Sequence, residues 1–222
     1  MRTKTLSVAM AFLLFALGSF TISAQDAATK EVATMATAPV SYQVSTENSS
    51  LGWVGKKVTG QHNGNIKITS GDIRMADHHD VSGKFEIDMT SISVTDLEGD
   101  MAAKLAGHLS SDDFFAVEKY PTATFELKGM SHLKAEAAEG EEMAPNHEVT
   151  GDLTIKGVTN EITFPAYIEH SANSFKAQAK FMIDRTKWGL QYGSGSFIKG
   201  LGDKMIYDDI EFELSLSANS AP

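Results

Sequence analysis

The sequence predicts an all-β protein: eight or nine antiparallel strands closed into a sandwich or an up-and-down barrel, with one helix inserted at about 96–109. Three observations carry this prediction. Segment after segment alternates apolar and polar residues with period two, the signature of a strand with one buried face. The connections between these segments are short, which suits antiparallel neighbours. A single stretch changes to helical spacing before alternation resumes.

The N-terminus reads as a processing signal. Arg2 and Lys4 precede an apolar run from Leu6 to Ile22, and small Ser23 and Ala24 precede Gln25. Residues 1–24 are therefore expected to be a cleaved secretory signal peptide. The alternative is a membrane anchor, for which the run is short. No other apolar run approaches spanning length, so no integral membrane segment is expected after processing, and a periplasmic or secreted location follows. Residues 25–39 are rich in Ala and Thr without clear period and read as a flexible spacer. The folded domain is expected over 40–217, with 218–222 a disordered tail.

The strands follow in order. Val40, Tyr42 and Val44 alternate, then Leu51 and Trp53, then Ile66 and Ile68, with Gly71-Asp72 read as a turn. Phe85, Ile87 and Met89 alternate with Lys84, Glu86 and Asp88. Thr95 and Glu98 make a capping box for the helix. Leu97, Met101, Leu105 and Leu109 form one stripe to be buried. Ser110, Ser111 and Asp113 then suit a one-turn helix that delivers Phe114 and Phe115 inward, and Tyr120-Pro121 restores extended backbone. Further strands carry Ala123, Phe125 and Leu127; Val149, Gly151, Leu153 and Ile155; Ile162, Phe164, Ala166 and Ile168; Ala177, Ala179, Phe181 and Ile183; and Ile206, Ile210, Phe212, Leu214 and Leu216. Lys156-Gly157 is a turn. The acidic stretch 136–146 reads as a hairpin loop, either solvated or cation-binding.

Composition excludes several function classes. The hydrophobic fraction of 42 % and charged fraction of 22 % describe a globular chain. Without Arg2 and Lys4, 17 of the 19 basic residues face 29 acidic ones, a net charge of about −12 with no basic cluster, so nucleic acid is not an expected partner. Cysteine is absent, which removes disulfides, thiolate catalysis and cysteine-ligated metals. Gly193-Ser-Gly-Ser196 does not match a nucleophile elbow, and Gly195–Gly202 has no Walker lysine-serine pair and no following helix. Asp77-His78-His79-Asp80 is the best metal candidate, but adjacent strand residues point apart, and a polar turn is the competing reading. His62, His108, His132, His147 and His170 are scattered. No catalytic residue and no metal ligand is assigned.

The inward set mixes small residues (Ala123, Gly151, Ala166, Ala177, Ala179) with Phe85, Phe125, Phe164, Phe181 and Phe212. In a barrel of about eight strands that mixture leaves room for an apolar, elongated guest, unless the helix and the Phe114-Phe115 pair fill it. Among charged residues of the strands, only Asp208 is a candidate to point inward. Arg185 and Trp188, in Arg185-Thr-Lys-Trp-Gly189, fall at a rim. There the arginine either receives a polar head group while Trp188 covers the tail, or pairs with Asp184, Asp208 or Asp209.

Three motifs together resemble the YceI-like family. They are His108-Leu-Ser-Ser-Asp-Asp-Phe-Phe with Tyr120-Pro-Thr-Ala-Thr-Phe125, then Gly151-Asp-Leu-Thr-Ile-Lys-Gly-Val-Thr159, then Arg185-Thr-Lys-Trp-Gly189, where Trp188 replaces a more usual phenylalanine. The resemblance covers about Tyr42 to Leu216. It implies an extended antiparallel lipocalin-like β-barrel of about eight strands, a hydrophobic tunnel, a bound polyisoprenoid lipid or isoprenoid quinone, and commonly a homodimer. The expected ligand-binding set is Trp53, Phe85, Leu105, Phe114, Phe115, Phe125, Phe164, Phe181, Arg185, Trp188 and Phe212. No cofactor beyond such a lipid is expected. A carrier or scavenger is the leading reading. A lipid-modifying enzyme would need Asp208, Arg185 or His108 in the pocket, and a non-catalytic stress-associated protein would have a filled barrel.

Overall fold

A computed structural model describes residues 39–76, 80–136 and 143–221. The expected signal peptide, most of the spacer, most of the acidic loop and three residues of the metal candidate at 77–80 lie outside the described residues. The strands are β1 (Val40–Val44), β2 (Ser50–Lys57), β3 (Gly60–Met75), β4 (Val81–Val94), β5 (Thr122–His132), β6 (His147–Ile155), β7 (Val158–His170), β8 (Ser174–Asp184) and β9 (Ile206–Ser220). One helix, α1 (Gly99–Ser110), stands between β4 and β5.

All pairings between these strands are antiparallel, and the sheet closes on itself. The order runs β3-β2-β9-β8-β7-β6-β5-β4 and back to β3. Nine strands occupy eight positions, because β1 and β2 lie end to end between the same neighbours. β1 pairs the far half of β3 (Val40 with Met75) and the end of β9 (Tyr42 with Ser220). β2 pairs the near half of β3 (Leu51 with Ile66) and the start of β9 (Ser50 with Ser215). A short 3-10 turn, Thr46–Asn48, takes up the shift in register. Ser49 Oγ accepts from Ser217 N at 3.1 Å there. The alternative of a sandwich is thereby resolved in favour of an up-and-down barrel.

The register also corrects the sequence reading. Gly71-Asp72 is not a turn but the middle of β3. A Cβ at Gly71 would sit 2.7 Å from the Phe85 ring and from Val44, so glycine serves close packing there. The Lys156-Gly157 turn forms as expected, both residues having positive φ (52° and 75°), the backbone of a tight hairpin. The end of the chain is not a tail from 218: Ala218 is fully buried, and β9 continues through Ser220 because β1 and β8 both hydrogen-bond to it.

The helix begins at Gly99, three residues later than expected, and the capping box does not form. Thr95 and Asp96 are instead held by β3. The Thr95 and Asn63 groups exchange hydrogen bonds (Thr95 N to Asn63 O, 2.9 Å; Asn63 Nδ2 to Thr95 Oγ1, 2.9 Å). The Asp96 carboxylate accepts from His62 Nδ1 at 2.8 Å and from Asn63 N at 3.0 Å. Glu98 stays extended, and Gly99 with φ 56° turns the chain into the helix. The inward face is then Ala102, Leu105, Ala106 and Leu109, while Met101, expected on the stripe, is 60 % exposed. The expected one-turn helix after Ser110 is a run of turns, since Ser110 and Ser111 hydroxyls bond back to Ala106 and His108 carbonyls rather than capping.

Inside the barrel the aromatic residues form a belt. Phe85, Phe125, Phe164, Phe181 and Phe212 follow one another with ring centroids 6.1, 5.9, 4.2 and 5.6 Å apart. The belt needs glycine on β6: a Cβ at Gly151 would lie 2.4 Å from the Phe125 ring and 2.5 Å from Glu126 O. Between β7 and β8 the backbone ladder is short, Tyr167–His170 with Phe175–Gln178, and the stacked Phe164 and Phe181 rings bridge the two strands beyond it.

Two measurements check these constraints. Gly151→Ala should destabilise by about 1–3 kcal/mol, because the ring and a backbone carbonyl must both give way; urea unfolding reads it. For Asp96, burial works against ionisation, but hydrogen bonds from Asn63 and His62 outweigh it and hold the carboxyl below its usual range. Its stabilisation is therefore complete above the unfolded-state value near 4 and is lost as pH falls through the lower folded-state value. Asp96→Asn should cost about 1 kcal/mol at neutral pH and remove this part of the acid dependence of stability.

Candidate functional site

The barrel interior encloses a cavity of about 250 Å³. Its walls extend from Ile73, Met130, Ile168 and Phe175 at one end to Leu105, Lys57 and Ile206 at the other. Along β8 and the residue that follows it, the lining reaches from Phe175 to Arg185. At about 3.3 Å per residue and the usual strand tilt, that is on the order of 25 Å along the barrel. Ala123, Ala166 and Ala177 leave the space that larger side chains would fill, whereas the space beside Gly151 is taken by the Phe125 ring. The small inward residues thus do two different things.

The wall is hydrocarbon and aromatic ring along most of this length. Its ionisable groups are Lys56, Lys57, His62, Arg185 and Tyr207, all at the end that also carries α1 and the β8–β9 connection. Lys56, Lys57 and Tyr207 are solvent-exposed while lining the cavity, so the cavity reaches the surface between the β2–β3 hairpin tip and the start of β9. Lys56, Lys57, His62 and Tyr207 were not singled out as pocket-lining from the sequence, because they fall at the ends of the alternating segments.

Ten of the eleven residues expected to bind ligand line this cavity: Trp53, Phe85, Leu105, Phe114, Phe115, Phe125, Phe164, Phe181, Arg185 and Phe212. Trp188 does not. It is 1 % exposed and its indole N–H donates to Leu153 O at 3.0 Å, which ties the Arg185–Trp188 turn to β6. It packs between the Arg185–Trp188 turn and β6, off the cavity wall. Phe114 and Phe115 both line the cavity and close it. Phe114 is buried against the His108 and Tyr192 rings (5.2 and 5.3 Å), and Phe115 is partly buried.

Arg185 combines the two roles foreseen for it unequally. Its guanidinium lies 6.0 Å from the Phe114 ring centroid and faces the cavity. Yet its Nε donates to Tyr207 O at 3.1 Å, Nη1 to Leu190 O, and Nη2 to Ile206 O at 3.2 Å and to the Asp208 carboxylate at 3.4 Å. Burial disfavours the charged guanidinium, and Asp208 and Asp184 offset part of that cost. The residue is first a clamp that holds the 185–207 connection shut over the barrel end. Asp208, the one acid expected to reach inward, is off the cavity wall: it accepts from Arg185 and from Ser196 Oγ at 2.6 Å. His108 is also off the wall, between Phe114 and Tyr192. The three groups an enzyme reading needs do not converge on the cavity.

One polar atom in the lining stands out. The Trp53 indole N–H is buried and has no hydrogen-bond partner among the described residues. Leaving such a donor unpaired costs about 1–3 kcal/mol.

Comparison with known proteins places this geometry. The YceI-like domain model matches residues 42–218. UPF0312 proteins of Staphylococcus aureus strains bovine RF122 / ET3-1 and USA300 are each 30 % identical over 115 residues, 49 % of this chain and 57 % of theirs. The match thus spans little more than half the length of those relatives. Among solved structures, Burkholderia cenocepacia BcnA aligns with a TM-score of 0.59 at 21 % identity, over 78 % of this chain and 98 % of BcnA. A polyisoprenoid binding domain from Saccharophagus degradans, implicated in plant cell wall breakdown, aligns with a TM-score of 0.55 at 16 % identity, over 81 % and 98 %. At these identities the two structures establish a shared fold.

The clamp is testable. Arg185→Met should destabilise by about 3–5 kcal/mol in urea unfolding, because three carbonyls and the Asp208 carboxylate lose their donor. Arg185→Lys should fall between, since a single ammonium cannot reach all four.

Proposed function

The chain belongs to the YceI-like family, and on that premise we propose that it is an exported carrier or scavenger of a long-chain apolar lipid, a polyisoprenoid or isoprenoid quinone, held in the barrel interior. The observation that carries this reading is the cavity itself: narrow, running most of the barrel's length, apolar below the mouth and polar only at the mouth. Such walls offer burial and few hydrogen bonds, so a guest is held by taking its tail out of water, about 0.8 kcal/mol for each methylene buried. The belt of phenylalanine rings suits a tail rich in flat, unsaturated units. The unpaired Trp53 N–H favours a guest with one carbonyl or hydroxyl acceptor, which separates a quinone or prenol from a plain hydrocarbon. Export rests on the basic and apolar N-terminal segment, and the absence of cysteine means the fold needs no disulfides outside the cell.

The test is gentle purification followed by organic extraction and lipid mass spectrometry, with added isoprenoids of several lengths for protein recovered empty. A chain-like lipid in the extract, or saturable binding of an added one, is expected. Empty protein that refuses all of them would overturn the reading. Ala177→Phe, which puts a ring into the cavity, should lower lipid capacity about tenfold or more while costing about 1–3 kcal/mol of stability; lipid content per protein and urea unfolding check the two halves.

A further inference from the structure

The exposed apolar side chains are not scattered. Val58, Met101, Tyr120, Val158, Tyr192, Phe197, Ile198 and Tyr207 all fall at the end of the barrel where the cavity opens, and the remaining large exposed hydrophobic among the described residues, Met182, is near the same end of β8. The densest group is on the β8–β9 connection. Phe197 is 54 % exposed and Ile198 43 %, adjacent in sequence on a loop whose neighbours are glycine and serine. That loop is fixed beside the mouth. Ile206 N donates to Gly193 O at 2.8 Å, Ser194 bridges to Ile206, and Val58 N donates to Met205 O at 3.1 Å. Ile206 and Tyr207 are themselves cavity wall. The exposed apolar tip and the apolar cavity thus lie at the same end of the barrel, with Ile206 and Tyr207 on the wall and Lys56 and Lys57 on the rim between them.

We propose that this end of the barrel docks on the surface of a zwitterionic phospholipid bilayer, with Phe197 and Ile198 inserted among the acyl chains and the cavity mouth facing the lipid. The inference rests on the proposed lipid-carrier reading: a guest that is mostly hydrocarbon resides in membranes, and its transfer avoids water only if the mouth opens onto one. The geometry fits interfacial insertion. A short apolar tip enters the acyl boundary while tyrosines, here Tyr192 and Tyr207, sit at the headgroup level. Lys199 follows the tip and Lys57 lies at the mouth, and neither forms an ion pair among the described residues, so both are free to meet lipid phosphates. No acidic residue occurs from Leu190 to Leu201 or from Ser50 to Gly71, the two segments that frame the mouth. The lipid surface is zwitterionic rather than anionic, because Asp112 and Asp113 lie beside Tyr192, Phe197 and Ile198 and the chain as a whole is acidic.

The test uses the processed chain with phosphatidylcholine vesicles in a flotation assay, beside the double variant Phe197→Ser/Ile198→Ser. Wild type is expected to float with the vesicles, the variant to partition about tenfold or more weakly, and phosphatidylglycerol in place of phosphatidylcholine to weaken rather than strengthen binding. Both side chains are exposed, so the variant should unfold at the same urea concentration and still bind an isoprenoid supplied in detergent, while taking it from vesicles more slowly. Wild type that stays off the vesicles overturns the proposal. So does equal flotation of the variant, or a solution dimer, broken by the same substitutions, in which the tip is already covered by a second copy. If the protein floats but holds no isoprenoid, docking stands and the carrier reading fails. If it binds isoprenoid in detergent but never floats, the reverse holds.

Discussion

Closure of the sheet is the constraint from which the rest of the structure follows. Every strand has hydrogen-bonded neighbours on both sides, if only over four residues between β7 and β8, so the perimeter is set by the number of positions and not by packing against a second layer. Two details make closure work at eight positions. β1 and β2 share one of them, and the long β3 and β9 hold both halves through a register shift taken up at Thr46–Asn48. Once the perimeter is fixed, the inward side chains must divide a fixed volume among themselves.

That division explains the pairing of phenylalanine with small residues. Phe125 extends over Gly151, and Phe85 over Gly71, so the rings lie along the wall instead of meeting at the centre. The alanines at 123, 166 and 177 leave space where no ring is drawn in. A barrel this size can be filled or hollow. The difference lies in a few side chains, and here it leaves an elongated apolar cavity rather than a solid core.

The two ends are treated differently. The end away from α1 is closed by buried side chains such as Tyr42, Phe175 and Ala218. The other, where the cavity opens, is partly covered by a connection held with a polar clamp. Arg185 collects three carbonyls and a carboxylate, Trp188 reaches Leu153, and Asp96 ties the approach to α1 onto β3. Directional bonds of this kind hold a lid in place without filling the space beneath it, which hydrophobic packing alone would do. The chain shares this barrel fold with BcnA and with the Saccharophagus degradans domain.

Period-two alternation was enough to identify the strands, their inward residues and the all-β class, because burying one face of a strand is a local property written into every second residue. The Lys156-Gly157 turn was legible from its residue types, and six of the expected residues that line the cavity (Trp53, Phe85, Phe125, Phe164, Phe181 and Phe212) lie on alternating strands. What the sequence could not decide was anything that depends on which strands become neighbours. Gly71 looks like a turn until Phe85 is seen lying over it. The Thr95–Glu98 capping box is valid in isolation but loses to Asn63 and His62, which only the barrel brings alongside. Residues 218–220 look like a tail until β1 and β8 supply partners. Arg185 had two readings until closure placed the carbonyls of 190, 206 and 207 around it. Trp188 looked like a ligand contact until it found the Leu153 carbonyl. Local pattern determines which side of a strand is buried; only tertiary pairing decides which groups a buried side chain meets, because hydrogen-bond partners far apart in the chain leave no periodic trace.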